Sequence, residues 1–356
     1  MNIKKGQELK KFTTFGIGGK ADFFVSTKNI DELKDIVRQA KKLKKRIFVL
    51  GGGSNILVSD RGYRGLVLHL QNKGINILSK NSGSVVLKIE AGEIWDDVVE
   101  YAVKNKYWGI ENLSHIPGQA GAGAVQNIGA YGQELKDVLD YVEVFDTKNN
   151  KIKKIKNKHC GFGYRKSIFN STEKGRYVII AIVITLSRRP KPILKYKDLK
   201  TYFENKKADL AAIRKAVIKI RDDKFPFPTG PKNGSAGSFF KNITVPEADY
   251  KKIHKAVAKR FGPKQLARLE NIVHKDPNNR VKIPTAFLID LTGFKGKKSG
   301  GAKINEKQPL VILNTGKATS SDVLRLAKMV KTKLHKFFGV RINIEPELVG
   351  FMKKPL

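Results

Sequence analysis

A tract of 22 residues without one charged side chain, Asn112 through Gln133, sits in a chain that is 29% charged and has a formal net charge of +38. At the chain average it would hold about six charges. Its centre reads IPGQAGAGAVQNIGAYG, residues 116–132. No other feature constrains the fold so strongly, because such a strip belongs where a counter-charge is unwanted and where backbone must approach another body closely. A flexible Gly/Ala linker is the plainer alternative, but Ile116, Val125, Ile128 and Tyr131 are spaced through the strip and linkers rarely hold such residues. Gly118, Gly121, Gly123, Gly129 and Gly132 remove side chains, and Ala120, Ala122, Ala124 and Ala130 keep the wall thin. The amides of Gln126 and Asn127 can bond the edge of a ring. The strip reads as a cradle under a large, flat, mostly apolar ligand.

A second glycine cluster, GGGSN at 51–55, lies between the apolar runs RIFVL and ILVS. Gly51, Gly52 and Gly53 free the backbone to turn its amides inward as an anion nest, and Ser54 and Asn55 add side-chain donors. A tight turn is the other reading. No Lys-Ser/Thr follows, so it is not a Walker loop. No helix follows, so it lacks the helix N-terminus that a Rossmann fingerprint needs. A strand–loop–strand phosphate cradle is left.

At 356 residues, two or three domains are expected. Strands are expected at 23–26, 46–50, 56–59, 65–70, 84–92, 141–146 and 178–186. One helix, capped by Asn29, sets Leu33, Ile36, Val37, Ala40 and Leu43 on one face, and another runs over about 94–105. The stretch 188–233 is basic and Pro-containing, ends in KFPFPTGPKNG, and reads as a linker. Beyond it, helices are expected near 246–261, 283–292 and 320–338, with strands near 309–313 and 340–345.

Composition narrows the class. The single cysteine, Cys160, excludes an internal disulfide and suits a reducing cytosol. The start MNIKKGQELKK shows no apolar signal region, and a cytoplasmic location is expected. The run VIIAIVITL, 178–186, is far short of a membrane span and reads as a buried strand. The lysines are scattered, as KKLKKR at 41–46, KIKKIKNK at 151–158, KGKK at 295–298 and KK at 353–354. They lack interleaved surface aromatics, so no specific nucleic acid is expected as partner. No membrane partner is expected either, and a monomer is the expectation, though the sequence does not give the oligomeric state. The six histidines and one cysteine make no metal-ligand spacing.

The stretches TTFGIGGKADF, GGGSNILV, IPGQAGAGAVQNIGAYG, GYRKSIF, GSAGSFFKN, GGAKINEKQPLVILN and IEPEL follow one another from about Phe12 to Phe351. In that order they resemble the UDP-N-acetylenolpyruvoylglucosamine reductase family, also called UDP-N-acetylmuramate dehydrogenases, flavoenzymes of bacterial cell-wall synthesis. The resemblance implies an α+β fold: a two-subdomain FAD-binding module of the vanillyl-alcohol oxidase and p-cresol methylhydroxylase type, plus a C-terminal α+β substrate domain. It places the flavin subdomains at 1–70 and 71–190, a linker and substrate-closing loop at 191–233, the substrate domain at 234–340, and a C-terminal strand returning to the active site at 341–356.

The implied reaction is reduction of an enolpyruvyl ether on a UDP-sugar to a lactyl ether, with NADPH as co-substrate and non-covalent FAD relaying the hydride. Negative charge then builds on the substrate carboxylate, which calls for a fixed cation, best an arginine, and an acid for the α-carbon. The resemblance implies Arg165 as that arginine, Ser238 as proton donor and Glu347 as an acidic partner, with Glu345, two residues away on the same face of a strand, as the alternative. It implies flavin contacts from Gly51, Gly52, Gly53, Ser54, Asn55, Ile116, Gly118, Gly121, Gly123, Gln126, Asn127, Gly129 and Ala130. It implies substrate contacts from Tyr131, Tyr196, Lys224, Asn242 and Gln308, and no metal site. The chain departs from the family at Val349 and Lys166, where arginine and aspartate are frequent, and at FPFP after Lys224. Two other readings remain open: another FAD oxidoreductase of the same fold acting on a sugar or alcohol, and a basic protein binding nucleic acid or an anionic surface.

Overall fold

A computed structural model describes residues 3–224, 227–228, 232–352 and 355–356. The chain forms two compact units, 1–7 with 20–53 and 63–227, and 8–19 with 54–62 and 228–356.

The first unit holds two sheets. In one, Lys20–Thr27 and Ile47–Leu50 both pair in parallel with Tyr63–Leu70, with Phe23 and Ile47 each opposite Leu66. Parallel neighbours need a crossover, and helix Ile30–Lys42 begins it. Asn29 Oδ1 accepts the Asp31 amide at 2.7 Å, capping the helix as the sequence suggests. Leu33, Ile36, Val37 and Ala40 are buried on one face, and Leu43 is left exposed. The buried Leu, Ile and Val side chains each contribute roughly 1.5–3 kcal/mol before entropy is counted.

The other sheet is antiparallel, ordered Lys151–Lys156, Leu139–Asp146, Tyr177–Ser187, Ser84–Glu90, Ile75–Lys80. Its central strand Tyr177–Ser187 is buried along most of its length, the fate expected of an apolar run too short for a membrane. Among the described residues no helix is long and apolar enough to cross one. The lysine-rich 151–156 is an edge strand, where charge discourages further pairing.

The second unit holds a sheet ordered Lys232–Gly234, Ile312–Thr315, Ala302–Ile304, Lys298–Ser299, and a sheet ordered Ile243–Pro246, Arg280–Ile283, His274–Lys275. Helix Ser320–Phe338 opens on a reciprocal Thr319/Asp322 capping box and closes on Gly339 at φ 70°. The core joins Phe15, Ile17 and Leu57 to Phe239, Phe240 and the helix face Val323, Leu326, Ala327, Val330 and Leu334.

The units do not follow the expected domain boundaries. Segments 8–19 and 54–62, expected in the first flavin subdomain, group with the C-terminal part: Glu347–Val349 pairs in parallel with Ile56–Val58, and Asn314 Nδ2 donates to Phe15 O at 3.0 Å while Phe15 and Ile17 enter that core. The stretch 191–224, expected as a linker and closing loop, carries helices Lys197–Tyr202 and Leu210–Lys224 and belongs to the first unit. Its lysines masked an apolar spacing: Leu210, Ile213, Ala216 and Val217 are buried with Leu199, Phe203, Trp108 and Tyr131. Parts of the expected linker, 225–226 and 229–231, lie outside the described residues, as do the lysines at 353–354. The expected strand over 340–345 is an isolated bridge at Ile344, and the strand proper is Glu347–Val349, so Glu345 and Glu347 do not share a strand face. The helix expected at 246–261 continues to Glu270 across a break at Gly262, φ 78°, where Pro263 can start a new turn.

Candidate active site

The GGGSN loop leaves strand Ile47–Leu50 and enters strand Ile56–Val58, as the sequence suggests. The neutral strip carries a structure the sequence did not signal, a short helix Ala120–Val125. It is anchored by the Ala120 amide on Glu93 O at 2.8 Å and the Gly121 amide on Ala91 O at 3.0 Å. A Cβ on Gly52 would stand 2.6 Å from Gly118 Cα, one on Gly51 2.8 Å from Ala122 Cβ, and one on Gly121 2.6 Å from Ala91 Cβ. These glycines let three backbone segments touch one another. At Gly121, expected to be bare for a ring, close packing on Ala91 is a reason of its own for the missing side chain. Gly123 faces the Ile128 side chain, and Gly129 the Glu134 side chain, the Gln133 carbonyl and the Arg165 guanidinium.

What the cradle offers a ligand is backbone. Among the described residues the amides of Gly51 and Gly52 have no hydrogen-bond partner, and Gly53 is left-handed at φ 62°. Successive free amides beside a left-handed residue suit a phosphate oxygen, so the residues present fit the diphosphate of FAD. Ile116 packs against the core, and Gln126 stands at the C-terminal end of the short helix. Asn127 does not fit its expected role. It is fully buried at φ 50°, its Nδ2 donates to Glu134 Oε2 (2.9 Å) and Gly163 O (3.2 Å), and its Oδ1 accepts the Lys136 amide (3.0 Å). That amide braces the strip against the 163–166 turn, with both donors already used.

Arg165 sits in that turn. Gly163 and Lys166 exchange backbone hydrogen bonds, and Arg165 takes φ 54°, a conformation glycine usually holds. Its Nη2 donates to Gly129 O at 2.8 Å, which fixes the guanidinium to the neutral strip. Backbone strain at a cation is frequent where geometry serves chemistry. Gly129–Ala130 pairs with Gln133–Glu134, so Tyr131 (φ 47°) and Gly132 (φ 85°) form a two-residue hairpin loop. Burial pushes the Tyr131 hydroxyl up to about 12, which keeps it a neutral donor. The Tyr131 ring meets Tyr196 edge-on, centroids 5.3 Å apart, and Lys224 Nζ lies 5.6 Å from its centroid. The structure thus brings together Tyr131, Tyr196 and Lys224.

It adds Arg221, which the sequence reading missed. Desolvation lowers the pKa of this guanidinium, which interacts with Tyr131 and is opposed by the charge of Arg165. An arginine stays charged regardless, and Asp96 and Asp222 offset part of that charge. The signal was available: Arg221 and Lys224 are three apart on one helix and share a face.

The second unit carries the other catalytic candidates. Ser238 bridges to Val311, the Phe239 amide donates to Leu310 O at 2.7 Å, and the Glu345 amide donates to Phe239 O at 2.9 Å. Phe239 and Phe240 are both buried, their rings edge-to-face with centroids 5.4 Å apart, and anchor this segment in the core of the unit. Among the described residues the Ser238 hydroxyl has no hydrogen-bond partner. Glu347 is set by its amide on Asn55 O at 3.0 Å and by its register opposite Ile56. Asn242 Oδ1 accepts the Thr285 amide at 3.1 Å, at the start of helix Thr285–Leu291, and among the described residues its Nδ2 has no hydrogen-bond partner. Gln308 lies in the turn before Val311, its amide on Asn305 Oδ1 at 3.1 Å and its carbonyl accepting the Val311 amide. Ser238, Gln308 and Glu345 are therefore held by neighbouring backbone segments of one unit.

Known proteins match the chain throughout. The FAD binding domain family matches residues 21–156, and the family described as UDP-N-acetylenolpyruvoylglucosamine reductase, C-terminal domain, matches 230–349. The UDP-N-acetylenolpyruvoylglucosamine reductase of Neisseria gonorrhoeae is 39% identical, over 97% of this chain and 96% of its own. That of Flavobacterium johnsoniae is 35% identical, over 98% and 100%. The crystal structure of the corresponding Thermus caldophilus reductase superposes with a TM-score of 0.65 at 25% identity, covering 98% of this chain and 99% of that one. Near-complete coverage in both directions, with the flavin module and C-terminal domain each matched in place, leaves one conclusion: the chain belongs to the UDP-N-acetylenolpyruvoylglucosamine reductase family.

Proposed function

We propose that Arg165, Ser238 and Glu347 carry out the chemistry of an FAD-dependent, NADPH-consuming reduction of UDP-N-acetylglucosamine enolpyruvate to UDP-N-acetylmuramate. The chain is an FAD-dependent oxidoreductase of that family, and its reaction makes a peptidoglycan precursor. Bound FAD supplies the hydride, taken from NADPH, that adds to the substrate's terminal methylene carbon. The Gly51 and Gly52 amides would hold its diphosphate, and the strip from Ile116 to Ala130, the Asn127 side chain excepted, would line its site.

Arg165 neutralises the substrate carboxylate as it gains enolate character, a task its fixed bond to Gly129 O prepares. Ser238 gives its proton to the α-carbon and regains one from solvent, and Glu347 orients the reacting end. Lys224, with Arg221 beside it, meets the diphosphate. Tyr131, Tyr196, Asn242 and Gln308 fit the sugar and base. We also infer a cytoplasmic monomer with no specific nucleic-acid partner.

The observation that carries this reading is Arg165, a guanidinium locked by a left-handed turn onto the neutral strip. Purified protein should be yellow, and beyond the first reduction of its flavin it should turn NADPH over rapidly only when the enolpyruvyl sugar nucleotide is present. NADPH oxidation coupled instead to an alcohol or a sugar would reject it.

A further inference from the structure

Helices Lys197–Tyr202 and Leu210–Lys224 enclose an open pocket of about 380 Å³, lined by Lys197, Asp198, Thr201, Ile220, Asp223 and Lys224. In it Lys224 Nζ stands 2.5 Å from Asp198 Oδ2, and both side chains are about one third exposed, 32% and 34%. The same ammonium rests near the Tyr131 ring. A carboxylate oxygen here makes the bond that a phosphate oxygen would make, a charge-assisted N–H···O.

We propose that Asp198 is a latch on Lys224, a positioning residue that holds the ammonium by Tyr131 until the diphosphate of the substrate takes its place. This rests on the reading of Lys224 as a diphosphate ligand. A pair this exposed is weak and yields to a stronger anion. Tyr131 remains beside the ammonium after release, since a cation near an aromatic face is attracted to it. The latch also discriminates: a singly charged anion gains too little to displace Asp198, whereas a diphosphate carries enough charge to do so.

The test uses the flavin-loaded protein at low salt. UDP-N-acetylglucosamine is titrated by calorimetry, and kcat and KM are measured with the enolpyruvyl substrate. Asp198→Asn should bind the nucleotide about two- to fivefold tighter, lower KM by the same factor, leave kcat unchanged, and become more sensitive to inhibition by inorganic phosphate. Asp198→Glu, which keeps the charge, should behave like the parent. Damage to the fold would act in the opposite direction, raising KM and lowering the melting temperature. Unchanged or weaker binding by Asp198→Asn overturns the latch. In a Lys224→Met background the gain from Asp198→Asn should vanish, and a gain that persists shows plain repulsion and overturns it too. If Lys224→Met alone binds the nucleotide like the parent, the assignment of Lys224 fails and the latch fails with it.

Discussion

An aliphatic hydroxyl such as that of Ser238 gives up a proton only to a strong base, which a substrate enolate is. Hydride transfer from NADPH to bound FAD does not touch the substrate α-carbon. Ser238→Ala should therefore keep flavin reduction near the parent rate, while reoxidation by substrate slows by about 10²–10⁴. Ser238→Cys should recover part of that loss, because a thiol also donates. Stopped-flow absorbance separates the two half-reactions, and parent-rate reoxidation by Ser238→Ala would hand the proton to Glu347 or to water. The residue scale is also where sequence reading went astray. Asn127 and Asn242 look alike on paper, yet one spends its whole amide inside the unit while the other, among the described residues, engages only its Oδ1. Which end of an amide is used depends on what folds beside it.

At the scale of elements, the glycines of the cradle are not equivalent. A side chain on Gly121 collides with Ala91, including its backbone, whereas one on Gly123 meets only the movable tip of Ile128 at 3.0 Å. Gly121→Val should lose flavin and melt several degrees lower, and Gly123→Ala should retain most of its flavin. Absorbance per mole of purified protein measures this, and equal flavin content in both variants would refute the packing argument. A second case lies in strand Leu139–Asp146, which ends on a carboxylate with no exposed surface. Asp146 accepts hydrogen bonds from Arg176, Lys153 and Asn149. Arg176 first, then Lys153 and Asn149, hold this carboxyl well below the usual range against the opposing effect of burial. A carboxyl depressed on folding contributes its full stability above the ordinary carboxylate range, about pH 4, and loses it progressively as pH falls below that. Asp146→Asn should lower the melting temperature at pH 7 by about 5–10 °C, and the gap from the parent should narrow between about pH 4 and pH 2. A gap that stays constant with pH would show that the charge of Asp146 is not what matters.

For the whole molecule, a net charge of +38 without a concentrated basic motif supports only weak, non-specific attraction to polyanions. DNA binding followed by fluorescence anisotropy should have a Kd on the order of 10⁻⁵ M near physiological salt and no sequence preference. Reductase activity should tolerate moderate salt. A tight, sequence-selective complex would overturn this reading. The amino-acid sequence alone determined the elements whose periodicity is strong and local: the helix from Ile30, the helix from Ser320, the buried strand from Tyr177, and the GGGSN turn between strands. It also carried the family, because ordered motifs survive without coordinates. It did not reveal that 8–19 and 54–62 belong with the C-terminal part, since strand Glu347–Val349 finds Ile56–Val58 nearly three hundred residues away and no local pattern encodes that register. It hid the helices of 191–224, because solvent-facing lysines diluted their apolar stripe. Tertiary structure alone decided that Asp198 accompanies Lys224, that Tyr131 lies beside both Lys224 and Arg221, and which cradle glycines touch backbone. Those outcomes depend on distances between segments remote in sequence, and periodicity carries no information about them.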